Sequence, residues 1–268
     1  MQRTPLKTVG PTKVVTFPHL AVKHGCSTRV GGVSQAPWDT LNTGFTVGDD
    51  PAAVWQNRRR FAACLGVDNL TWFLSMSHGK EVAQVQERPP LPSDQTAAPR
   101  PFYSADACIT NQPGIPLNLT VADCVPVFFH DPKAGCIGLA HAGWRGTVAG
   151  IVTETVLAMG RAYGSQAKDV LVGIGPSIGP QKFEVGSEVV DEFQKAFPDH
   201  PDLIASLDQP GKALIDLWRA NTVMALRAGV PEQNVIVSGW CTVSHPDLFF
   251  SHRRDQGQSG RLLAGIIL

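Results

Sequence analysis

Val125-Pro126-Val127-Phe128-Phe129-His130 and Cys136-Ile137-Gly138-Leu139-Ala140 lie five residues apart, and most of their side chains are apolar on consecutive positions. Runs this short and this apolar predict strands covered on both faces, because a strand with one wet face alternates. Upstream, Leu117–Val121 reads as another strand. Downstream, Thr147 is expected to cap a helix that turns Val148, Ile151, Thr155 and Met159 inward and closes near Gly164. Strands followed by an amphipathic helix predict sheet layers with helices packed on them.

Working outward, two further helices are expected. Asp50-Pro51 supplies an N-cap and a proline at the first helical position, Val54, Phe61, Ala62 and Leu65 form the stripe, and Gly66 ends it. The other spans about 212–228, with Leu214, Leu217, Trp218, Asn221, Ala225 and Ala228 on one side, and is stopped by Gly229 and Pro231. Val14–Phe17, Ala107–Thr110, Val170–Ile174, Val235–Ser238 and Leu248–Ser251 complete the predicted strands. The stretch 86–101 carries five prolines and is expected to be an irregular loop inside one domain. The fold class is therefore α/β, a single domain over residues 1–268 of mixed sheets with packed helices. Strand direction is not legible at this level.

Composition narrows function. The 268 residues carry 23 Lys+Arg and 23 Asp+Glu, for a formal net charge of zero, so no excess of basic charge is present to bind nucleic acid. With 43% hydrophobic and 17% charged residues the chain is globular, and 26 glycines and 21 prolines imply many turns between short elements. No apolar run reaches the ~18 residues of a membrane span. Met1–Lys13 lacks the apolar core of a secretory signal, and the six cysteines show no CxxC or framework spacing. Reduced thiols and a cytoplasmic location are expected, in a monomer or a dimer.

Chemistry concentrates in 118–150. Cys124 stands beside Asp123 at the mouth of an apolar strand, and His141 ends the next one, so neighbouring strands can bring them to one sheet edge. Cysteine with histidine suits either a thiolate nucleophile with a general base or a metal site. His78, after the apolar run Trp72–Leu74, is the candidate third ligand. Two His and one Cys hold Zn²⁺ with a fourth position open, the catalytic pattern. A buried thiol and a turn histidine explain the same two residues without chemistry. Gly143-Trp144-Arg145-Gly146 before the helix suggests an anion pocket, and Arg29 in the small-residue run 25–34 is a second possible anion partner.

Several motifs together resemble one family. They are Ser27-Thr28-Arg29-Val30-Gly31-Gly32-Val33-Ser34, Ala122-Asp123-Cys124-Val125-Pro126-Val127 and His141-Ala142-Gly143-Trp144-Arg145-Gly146. With them come Gly175-Pro176-Ser177-Ile178-Gly179, Glu184-Val185-Gly186 and Phe249-Phe250-Ser251-His252-Arg253-Arg254-Asp255. The chain is similar in this way to the bacterial laccase-domain (YfiH-like) proteins, formerly described as polyphenol oxidases and regarded as zinc-dependent purine nucleoside phosphorylases. The resemblance implies a single α/β domain and zinc on His78, Cys124 and His141. It also implies phosphorolysis of adenosine, inosine, guanosine and methylthioadenosine, with adenosine deamination at the same site. The expected partners are purine nucleosides and phosphate. On this reading Arg29 and Arg145 hold the anion, and Asp123 orients a ligand or takes part in proton transfer. The chain departs from the family pattern at Met76, where glutamine is usual, and at Phe183 and His252, where tyrosine is common.

Three competing readings carry their own discriminators. Copper-dependent phenol oxidation fits a His₂Cys ligand set with Met76 as a weak axial ligand, but a trinuclear cluster needs more paired histidines. A hydrolase with Cys124 as nucleophile and His141 as base would survive chelation and die on alkylation. A non-catalytic binding protein would keep the pocket and turn nothing over.

Overall fold

The computed structural model describes residues 3–71 and 74–268. In chain order the strands are β1 (Leu6–Val9), β2 (Thr12–Val15), β3 (Lys23–Ser27), β4 (Leu74–Ser75), β5 (Val82–Gln84), β6 (Tyr103–Ser104), β7 (Ala107–Thr110) and β8 (Leu117–Val121). They continue with β9 (Val125–Asp131), β10 (Cys136–Ala142), β11 (Leu171–Ile174), β12 (Glu184–Gly186), β13 (Ile204–Ser206), β14 (Lys212–Ile215), β15 (Val235–Val237) and β16 (Leu262–Ile267). The helices are α1 (Pro51–Cys64), α2 (Trp144–Ala149), α3 (Ile151–Tyr163), α4 (Ser187–Ala196) and α5 (Leu217–Arg227). The architecture is mixed α/β, as expected.

Two sheets dominate. One has the order β1-β2-β3-β16-β8, the other β15-β11-β9-β10-β7-β5, with a three-stranded β12-β14-β13 sheet and the short β4-β6 pair beside them. Pairing is mostly antiparallel; β11–β15, β5–β7 and β4–β6 are parallel. Side-chain parity separates the layers. In β9, Val125, Val127 and Phe129 join the core with α3 and α5, whereas Phe128 turns the other way. In β10, Ile137 and Leu139 share that second layer with Leu262, Ala264 and Ile266 of β16. Leu263 and Ile267 face out from β16 onto Phe61, Ala62 and Leu65 of α1 and its end. The succession is helix, sheet, sheet, helices, so β9, β10 and β16 are buried on both faces and read as unbroken apolar runs.

Local signals behave as chemistry dictates. The Asp50 carboxylate accepts from the Ala52 N–H at 3.0 Å to cap α1, and Gly66 at φ +70° turns the chain out of it. No helix or strand forms over 86–101; the Trp55 indole donates to the Ala97 carbonyl at 2.9 Å and pins the loop to α1. No helix among the described residues is long and apolar enough to cross a membrane.

Four expectations need correction. The helix expected behind a Thr147 cap starts four residues earlier, behind Gly143, and breaks at Gly150, whose φ of +88° separates α2 from α3. Residues 212–215 are strand rather than helix, and Asp216 caps α5 by accepting from the Arg219 N–H at 2.9 Å. Leu248–Ser251 is not a strand, since the Leu248 and Phe249 N–H groups bond back to the His245 carbonyl. Of Trp72–Leu74, Leu74 lies in β4 and the first two residues fall outside the described residues.

Candidate metal centre

His78, Cys124 and His141 meet. Each offers one ligand atom, and the three lie within 4.8 Å of one another. The imidazoles stand edge to face with centroids 4.9 Å apart. His141 is the penultimate residue of β10 and points into the layer between the sheets, alternating with Ala140 and Ala142. Cys124 occupies the turn that passes the chain from β8 to β9, and His78 the loop between β4 and β5. Among the described residues only three non-glycines have positive φ, and two belong here: His78 at +64° and Asp123 at +81°. Such backbone persists where surrounding bonds enforce it.

For His78 the enforcing group is Asp106, which the sequence reading missed. Its carboxylate accepts from the N–H groups of Ser77 (3.0 Å), His78 (2.9 Å) and Gly79 (2.8 Å), and from the Ser77 hydroxyl at 3.2 Å. It also accepts a hydrogen bond from His141 Nδ1 at 3.0 Å. That bond fixes the tautomer and leaves Nε2 as the free ligand atom, the usual device for a metal-bound histidine. Only a lone Asp before an apolar strand, with no motif around it, marked this residue in the sequence.

The electrostatics agree. Burial disfavours the Cys124 thiolate, but the charge and hydrogen bond of His141, with His78 behind it, outweigh burial and bring the thiol down to about 6. Burial likewise works against charge on His141, yet Cys124 and Asp106 raise it to about 9. Burial also opposes the Asp106 carboxylate, but the bonds from His141, Gly79 and Ser77 hold it well below the usual carboxylate range. Two donors and a stabilised thiolate converge on one point, so the residues fit a soft or borderline divalent metal. Gly143 makes room for this. A Cβ there would sit 3.0 Å from His78 Cδ2 and 3.1 Å from Cys124 Sγ.

Beside Cys124 opens a cavity of about 140 Å³, walled by Trp144, Ile178, Phe183 and Leu217, with His252 and Arg253 also lining it. Two of the three departures, Phe183 and His252, therefore line this space, while Met76 packs against the core between the sheets. The Asp123 carboxylate accepts from the Ser251 hydroxyl at 3.0 Å, the Arg253 N–H at 2.7 Å and the Thr242 hydroxyl, which ties the turn of Cys124 to the segment 242–253. Arg145 is exposed within α2 and lies over the Trp144 ring at 4.3 Å. Arg29 lines a different cavity. Its guanidinium is paired with Asp39 at 3.1 Å and donates to the carbonyls of Asp39 and Pro246.

Residues 23–268 match the family described as multi-copper polyphenol oxidoreductase laccase. The chain belongs to this family. Purine nucleoside phosphorylase YlmD of Geobacillus stearothermophilus is 40% identical over 247 residues, 90% of this chain and 88% of that protein. Purine nucleoside phosphorylase YfiH of Escherichia coli is 34% identical over 242 residues, 90% and 92% of the two chains. The crystal structure of YlmD from G. stearothermophilus matches with a TM-score of 0.88 at 36% identity, covering 99% of each chain. The multi-copper description of the family contrasts with the ligand inventory of this member: among the described residues one group of His, Cys, Asp or Glu side chains is arranged to hold a metal.

Proposed function

We propose that the protein is a zinc-dependent purine nucleoside phosphorylase, acting on adenosine, inosine, guanosine and methylthioadenosine, with adenosine deamination as a side activity of the same centre. The observation that carries this reading is the His78–Cys124–His141 group, locked by Asp106 and opening on an apolar cavity. The names of its relatives supply the reaction class. A single mononuclear His₂Cys group favours zinc over the several coppers of a laccase.

In phosphorolysis the bond between C1′ of the ribose and the base nitrogen breaks, a phosphate oxygen joins C1′, and the base leaves with a proton. A metal bound by the three ligands would supply Lewis-acid charge stabilisation. The chain's own residues do the rest. Trp144, Ile178, Phe183 and Leu217 offer flat apolar walls suited to a purine ring, and exclude water from it. Asp106 holds His141 and the His78 loop in register, and Asp123, which lines the cavity, positions the Cys124 turn through its three hydrogen bonds. Arg145, stacked on the wall residue Trp144, adds positive charge at the rim. Substitution tests the shared centre: Cys124→Ala and His141→Ala should each lose bound metal and turnover of inosine. Full phosphorolysis by either variant would overturn the reading.

The low thiol of Cys124 beside His141 also describes an activated nucleophile, the hydrolase alternative. Chelation separates the two, since a thiolate enzyme keeps its activity without metal.

A further inference from the structure

Phosphorolysis requires a cation for the phosphate, and burial taken together with hydrogen bonding singles one out. Arg29, at its separate cavity, is committed to Asp39 and Pro246, and Arg254 to Asp255 and the carbonyls of Thr242 and Phe249. Arg253 lies over the Phe183 ring and donates to the Glu184 carbonyl, and Arg145 lies over the Trp144 ring; both are exposed. Arg261 differs. It is half-buried, makes no ion pair, and its Nη1 donates only to the carbonyls of Ser259 (2.7 Å) and Gly260 (3.1 Å). Its Nε and Nη2 donate to no protein atom among the described residues.

Its position is built. Leu262 pairs with Val121 in the β8–β16 ladder, so the next step of that register sets Arg261 across from Ala122, two residues before Cys124. The Asn42 side chain accepts from the Arg261 N–H at 2.8 Å, and the Arg261 carbonyl accepts from the Thr43 N–H and hydroxyl at 3.1 and 2.8 Å. Gly44 leaves room for the stem; a Cβ there would lie 2.5 Å from Arg261 Cγ. The negative charges of Cys124 and Asp123 both act on the guanidinium. A half-buried guanidinium with two open donor nitrogens and no carboxylate in ion-pair contact can receive a tetrahedral oxyanion, to which it offers a planar pair of N–H groups.

We infer that Arg261 is the phosphate-binding residue of this protein, in place of Arg29. The inference rests on the phosphorylase reading for the identity of the anion. The test is calorimetric titration of inorganic phosphate, and separately of inosine, into metal-loaded wild type, Arg261→Met, Arg261→Lys and Arg29→Met. Loss of charge-assisted hydrogen bonds should weaken phosphate about 10- to 100-fold in Arg261→Met. Arg261→Lys should fall between, and inosine affinity should stay within about twofold. Where the Met variant fails to fold, the Lys variant carries the comparison, since it keeps the stem and the charge but loses the fork. Phosphate bound equally by wild type and both Arg261 variants, loss confined to Arg29→Met, equal loss of phosphate and inosine, or no phosphate binding by wild type would each overturn the assignment. Phosphate binding that depends on Arg261 in a protein that turns over no nucleoside would uphold the site and refute the phosphorylase reading instead.

Discussion

Asp106→Asn removes one charge while keeping the shape of the residue that organises the centre. One carboxylate oxygen serves the His78 N–H and His141 Nδ1, the other the Ser77 N–H, Ser77 hydroxyl and Gly79 N–H. Whichever oxygen becomes an amide nitrogen, at least two donors lose their acceptor. At about 1–3 kcal/mol for each buried unsatisfied group, the variant should lose about 2–6 kcal/mol of stability. A second effect falls on the metal. Without a full acceptor at Nδ1, His141 is free to move its proton to Nε2, the ligand atom, and the His78 loop loses the support for its φ of +64°. Loss of such an outer partner typically costs 10–100-fold in metal affinity. The assay is competition for zinc against a chromophoric chelator, alongside urea unfolding of the metal-free protein. Metal affinity within about twofold of wild type, in a variant that remains folded, would refute the role given to Asp106.

The other predictions follow from the same contacts. Arg58, fully buried in α1, donates to the carbonyls of Leu70, Thr43 and Thr71 and to the Asn118 side chain, so Arg58→Met should cost about 4 kcal/mol or more in denaturant unfolding; a loss below about 1 kcal/mol would contradict it. His24 Nε2 accepts from the Phe17 N–H at 2.8 Å while Nδ1 bonds the Val22 carbonyl at 2.7 Å, so the folded protein has no place for a second proton. Burial is the main cause of its fall to about 4, against an unfolded value of 6.5. Because the unfolded state takes up the proton first, this contribution to stability is complete above pH ~6.5 and drains away as pH falls towards 4, by about 3 kcal/mol. His19 and His130, also lowered by burial, act in the same direction, so His24→Gln should reduce the slope in metal-free protein without abolishing it; an unchanged slope would exclude His24 as a source. Gly143→Ala keeps an allowed backbone, φ −66°, but crowds His78 and Cys124, and should weaken metal binding with little loss of fold stability by thermal melting. Unaltered affinity would show that the ligands can move aside.

The sequence made the buried sheet legible and hid most of what positions the site. Ala107–Thr110 and Leu117–Val121 are strands with the expected bounds, and Val125–His130 and Cys136–Ala140 extend by one and two residues, because unbroken apolar character reports burial on both faces. The same rule applies to Leu262–Ile267, the strand that carries Arg261 into place, although it was not among the predicted strands. Helix starts were less legible: Gly143 and Gly150 set the ends of α2 through backbone angles, while Thr147 only looked like a cap. The three residues that meet at the candidate metal centre were legible because few residue types can do that chemistry. Asp106 was not, since its importance lies in five hydrogen bonds that converge only after β4, β7 and β10 have assembled. The pairing of Arg29 with Asp39 was hidden for a related reason, as it depends on how the loop after β3 folds back.

The central claim is phosphate-dependent cleavage at the His78–Cys124–His141 centre. The most direct measurement is incubation of metal-assayed protein with inosine, with and without phosphate, and mass spectrometry of the products. The account predicts free base and ribose 1-phosphate only when phosphate is present. Product formation independent of phosphate, or no turnover of any purine nucleoside with one zinc bound per chain, would contradict it.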